Sequence, residues 1–70
     1  MTTTRTVEPS LRYGEVGERW GNLLAPNGAF AVGDSFRFQG SEDDVRVVRR
    51  VLPFPGDPSK RLVHYESKAR

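Results

Sequence analysis

The sequence predicts a mainly β domain, a small antiparallel meander that curls into a barrel, and three observations carry that expectation. Apolar and polar side chains alternate with period two around Phe36 to Phe38, Val45 to Val51 and Leu62 to Tyr65, the pattern of half-buried strands. Turn formers separate these runs: "APNG" at 25–28, "GD" at 33–34, "GSED" at 40–43 and "PFPGDPSK" at 53–60. The chain has 70 residues and no cysteine, which allows one small domain and excludes a disulfide staple or thiolate-bound zinc.

Taken in order, residues 1–10 are threonine-rich and aperiodic and read as a flexible arm, leaving 11–70 as the single β-rich domain. Between Ser10 and Leu24 the bulky residues Tyr13, Val16, Trp20 and Leu23 recur at steps of three, four and three, which allows one short helix over 10–24 with Ser10 as its N-cap. Gly14, Gly17 and Gly21 oppose it, so an irregular segment or a short strand pair stands beside the helix as an explanation. Beyond the 25–28 turn, Phe30 and Val32 alternate with Ala29 and Ala31, and Phe36 and Phe38 continue the alternation after the bend at 33–34. A strand restarts near Asp44 and runs to about Leu52, and "RLVHYE" closes the sheet. Three or four such strands form an SH3-like barrel; an α+β open sheet covered by the 10–24 helix is the alternative.

Strand parity then divides the side chains between two faces. With Phe36 and Phe38 inward, a short 40–43 connection sets Val45 and Val47 beside them, followed by Val51 and, from the last strand, Val63 and Tyr65. Trp20, Phe30 and Val32 complete this expected core. Arg49 shares its parity and belongs at the rim, over Tyr65 or near Glu66, with its stem buried and its head in water. The outer face collects Arg37, Arg46, Val48, Arg50, Leu52, Leu62 and His64. Arginine among aliphatic residues is the composition of a protein contact or of a strand face under a covering segment. A nucleic-acid groove needs aromatics and cations on one side, and this parity puts Phe36, Phe38 and Tyr65 opposite Arg37, Arg46 and Arg50. A register bulge at Val47 and Val48 would mix the faces.

Charge and chemistry narrow the function classes. The formal net charge is only +2, yet from Val45 onward seven cations (Arg46, Arg49, Arg50, Lys60, Arg61, Lys68, Arg70) face two anions (Asp57, Glu66). No apolar run is long enough to span a bilayer, and "MTTTRTVEPS" lacks the apolar middle of a signal peptide, so a cytoplasmic or virion-incorporated protein is expected. Ser35, Asp34 and His64 are the residue types of a hydrolytic triad, but no nucleophile-elbow sequence surrounds the serine. "EDD" at 42–44 lacks the spacing and glycine of a calcium loop, and the glycines match no phosphate-cradling motif. The expectation is therefore no catalytic residue, no metal and no cofactor.

Residues 30–66, "FAVGDSFRFQGSEDDVRVVRRVLPFPGDPSKRLVHYE", resemble the C-terminal hairpins of tailed-phage head-completion proteins, small barrels between portal and tail. The shared features are "GD" before an apolar strand, a glycine turn at Gly40, the "VRVV" strand, a Pro/Gly-rich loop and a closing strand with His64 and Glu66. The resemblance implies a structural, non-enzymatic virion component that works in a multimer. The sequence expectation is accordingly a protein-binding or assembly module, acting through self-association or a protein partner. A small nucleic-acid-binding regulator, or an inhibitor of one host protein, is the alternative.

Overall fold

The computed structural model describes residues 5–16 and 19–68, with the side chains of Glu15 and Val16 outside that description. It is mainly β. Six strands, β1 (Arg5–Val7), β2 (Arg12–Val16), β3 (Trp20–Pro26), β4 (Ser35–Phe38), β5 (Ser41–Pro53) and β6 (Lys60–Ser67), form one sheet in the order β1-β4-β5-β6-β3-β2. All pairings are antiparallel except that of β1 with β4, which is parallel. The sheet curls into a half-barrel, and connectivity requires the curl. The edge strands β1 and β2 are joined by residues 8–11 alone, a 3₁₀ turn at Pro9–Leu11 included. The five Cα–Cα steps from Val7 to Arg12 reach at most about 17 Å, whereas a flat sheet of six strands is about 24 Å wide. Arg12 accordingly reaches from the β2 edge to lie 4.8 Å from the centroid of the Phe38 ring on β4.

Two N-terminal expectations are corrected here. No α-helix occurs among the described residues: the 10–24 segment is the 3₁₀ turn followed by β2 and β3. Along β3 burial alternates strictly, with Gly21, Leu23 and Ala25 inside. Gly21 pairs with Tyr65, whose ring fills the space a side chain would need; a Cβ at Gly21 would lie 2.4 Å from the Tyr65 Oη. Of the glycines that weaken a helix, Gly21 thus serves close packing in a strand, whereas nothing lies within 4 Å of a Cβ at Gly14. The expected arm is instead β1 and its following turn at 5–11, with Val7 buried against the core. Residues 1–4 and Gly17 lie outside the described residues.

The core is Val7, Leu23, Ala25, Phe36, Phe38, Val48, Val63 and Tyr65, with Ala29, Phe30 and Val51 packed partly against it. Phe36 sits at its centre, edge-on to Phe30, Phe38 and Tyr65 at 5.3–5.5 Å. Arg5 covers Phe30 from 3.8 Å and donates to the Ala29 carbonyl, tying β1 to the 27–34 loop. That loop replaces the strand expected over Phe30 and Val32. Asp34 accepts from the Ala31 N–H at 3.0 Å and closes a turn, and Val32 is 66% exposed rather than in the core.

The largest correction concerns β5. Phe38 pairs with Ser41 across a tight Gln39–Gly40 turn, where Gly40 has φ +90°, but Phe36 pairs with Arg46. Arg37 alone therefore faces the four residues Glu42–Val45. Three extra residues, an odd number, exchange the faces of the strand. Val45 and Val47, expected inside, are only half-buried, and Arg46 and Val48, expected outside, are buried at 7% and 0% exposure.

Candidate binding face

A second register shift restores the outward face further along the strand. Val48 pairs with Tyr65 and Arg50 with His64, so Arg49 is one extra residue, a bulge. Beyond it Arg50 and Leu52 point away from the core, opposite His64 and Leu62 on β6. Those two residues pair in turn with Asn22 and Leu24 on β3. Three strands therefore contribute to one outer surface, with Trp20 beside Asn22.

This surface holds an open groove of about 510 Å³ lined by Trp20, Asn22, Arg49, Arg50, Leu52 and His64. At its floor the Trp20 indole and His64 imidazole stack, with centroids 5.1 Å apart and planes 7° from parallel. His64 Nδ1–H donates to Asn22 Oδ1 at 2.9 Å, which fixes the imidazole against the indole. The Glu66 carboxylate is shared by two arginines: Arg49 Nε and Nη2 both reach Oε1 at 2.9 Å, and Arg19 Nε reaches Oε2 at 3.3 Å. Arg50 is exposed and has no ion pair among the described residues. Lys60 extends the same face by strand alternation and is exposed. The surface is thus cationic, with its single β6 carboxylate already neutralised. Leu52, 42% exposed, and the half-buried Leu24 and Leu62 make its apolar part. Tyr13, 58% exposed, meets Phe54 edge-on at 5.5 Å.

Of the expected contact residues, the structure brings Arg50, Leu52, Leu62 and His64 together. Arg37 lies apart on β4, half-buried, with its Nε enclosed and without a hydrogen-bond partner. Arg46 and Val48 leave the set for the core. Arg46 is held there by Asp44, through Nη2 to the carboxylate at 3.2 Å and Nη1 to the carbonyl at 3.1 Å, and it lies 4.6 Å from the Phe38 centroid. Ser67 Oγ donates to the same carboxylate. Trp20, expected in the core, is half-buried on the outer face, and its period-two relation to Asn22 and Leu24 is the signal that helical spacing obscured.

The residue types of a triad are not assembled. Asp34 is engaged in its turn and His64 faces the groove beside Asn22. The 42–44 carboxylates also diverge. Asp44 serves Arg46, while Glu42 is held below the usual carboxylate range, first by the Gly40 N–H and then by its own backbone N–H. Among the described residues no group of three potential ligands is placed to hold a metal ion, and no helix is long and apolar enough to cross a membrane. Comparison with protein-family models, curated proteins and solved structures finds no match to this chain.

Proposed function

We propose that this protein is a non-enzymatic binding module whose contact surface is the outer face of β3, β5 and β6. The observation that carries this reading is the groove itself: a tryptophan, an unpaired arginine and a 42% exposed leucine converge where no other described segment covers them. Tryptophan and arginine are the residues that most often dominate binding energies, and here both are mounted on strands rather than loops. The leucines at 24, 52 and 62 support contact with a protein, including assembly into a larger particle. The arginines favour an anionic partner.

The test is affinity capture from the source cells with the wild-type chain and with a Trp20→Ser/Arg50→Ser/Leu52→Ser variant, recovering proteins and nucleic acids alike. The expected result is a partner enriched by the wild type and lost by a variant that remains folded by circular dichroism. Retention of every partner by the folded variant would remove the outer face from consideration.

A further inference from the structure

We infer that the outer groove binds single-stranded nucleic acid, with a base stacked on Trp20 and backbone phosphates on Arg50 and Arg49. The inference rests on the outer face being the contact surface. Its grounds are three features of that face which sequence parity had set apart.

The first is co-location. A single-strand site needs an aromatic plane and cations within one nucleotide's reach, and the groove is lined by Trp20, Arg49 and Arg50 together. The aromatics that parity placed away from the arginines, Phe36, Phe38 and Tyr65, remain buried, and Trp20 takes their place on the cationic side. The second is preorganisation. His64 covers one face of the indole and is itself held by Asn22, so the ring is oriented before a ligand arrives and less ordering entropy opposes binding. The third is charge. Glu66 is the only acid facing this part of the sheet from β6, and Arg19 and Arg49 both bind it. With that carboxylate engaged by Arg49 at 2.9 Å, Arg50 and Lys60 are left as the charges this part of the face presents. A phosphate therefore meets Arg50, which has no ion pair among the described residues and offers the two-pronged geometry that phosphate accepts.

An acidic protein segment shares the charge requirement but not the stacking plane, and the test separates the two. A fluorescent oligothymidylate of about 12 nucleotides, within the length one small barrel occupies, is titrated with the wild-type protein at about 50 mM salt. Anisotropy is expected to rise with saturation well below about 100 µM, the weak end of non-specific nucleic-acid affinity. Affinity should fall on the order of tenfold between about 50 and 200 mM salt, as two or three displaced counterions require. Trp20→Leu is expected to weaken binding roughly 5- to 100-fold, the equivalent of one lost base stack, while Trp20→Phe retains most of it. Arg50→Ala should lower the salt slope by about 0.7, one phosphate contact on a single strand.

Three results overturn the proposal: no saturable binding by about 100 µM; poly-L-glutamate competing as strongly as unlabelled oligothymidylate; or binding lost on Arg50→Ala but unchanged in a folded Trp20→Leu variant. If the oligonucleotide fails while partner capture still depends on Trp20 and Arg50, only the ligand assignment falls. If capture is independent of both residues, the outer-face reading falls with it.

Discussion

Arg46 and Arg50 lie four residues apart on one strand, a spacing that puts both on the same face of a regular β-strand, yet they end on opposite sides of the sheet. Arg46 is buried, paired to Asp44 and laid against Phe38, whereas Arg50 is exposed and unpaired on the groove. The single extra residue at Arg49 separates them. The comparison teaches that on this strand residue type does not decide between a structural and a binding role; the register does. One arginine is held in the interior because the half-buried Asp44 carboxylate pairs with it, and the other remains available because no carboxylate does.

Breaking the buried half should produce the largest effect. Arg46→Ala leaves the half-buried Asp44 without its cation, and removal of one partner from a largely enclosed pair costs about 3 kcal/mol. Chemical denaturation should show this loss directly, while Arg50→Ala should lie within about 0.5 kcal/mol of the wild type. Equal destabilisation of the two variants would dissolve the distinction.

The next effect tests the packing that directs β3. Gly21→Ala drives a methyl group into the Tyr65 ring, and overpacking of a well-filled core costs about 1 to 3 kcal/mol. Tyr65→Phe removes a hydroxyl that is buried without a hydrogen-bond partner, so it should be neutral or stabilising by about 1 kcal/mol, read as a rise in thermal midpoint. A large loss in Tyr65→Phe would reveal a bond to that hydroxyl and contradict the packing described here.

The smallest effect falls on the bulge. Arg49→Ala ends the contact with Glu66, but Arg19 still neutralises that carboxylate and the pair is partly exposed. The expected loss is about 0 to 1 kcal/mol by denaturation. A loss as large as that of Arg46→Ala would mean that the ion pair, rather than the backbone register, holds the bulge.

Much of this architecture was legible because it rests on local rules. Alternation marked Phe36, Phe38, Val63 and Tyr65 as sharing a face, all four of them buried, and the proline and glycine clusters marked the connections at 25–28 and 53–60. What escaped was non-local or conflicted with a second periodicity. Tyr13, Val16, Trp20 and Leu23 satisfy a helical spacing as well as a strand can satisfy period two, and only the Tyr65 ring over Gly21 decides between them. The parallel pairing of β1 has no local signature, since its three residues gain order from Phe36 to Phe38 on β4.

The candidate site was half legible for the same reason. Arg50, Leu52, Leu62 and His64 lie on regular stretches of β5 and β6 and were placed together by parity. Arg46 and Val48 lie between two register shifts whose lengths, three residues and one, no alternation pattern encodes. An odd insertion inverts every side chain beyond it until a second odd insertion inverts them back. Trp20 reached the groove through the strand that helical spacing had concealed.

The inverted register of β5 is the claim on which both the core and the groove depend, and side-chain NMR tests it most directly. Nuclear Overhauser contacts from the Arg46 methylenes to the Phe38 and Tyr65 rings, with upfield shifts of those methylenes and of the Val48 methyls, are the predicted result. Contacts from the Val45 and Val47 methyls to Phe36 and Phe38, with Arg46 shifts typical of solvent, would contradict it.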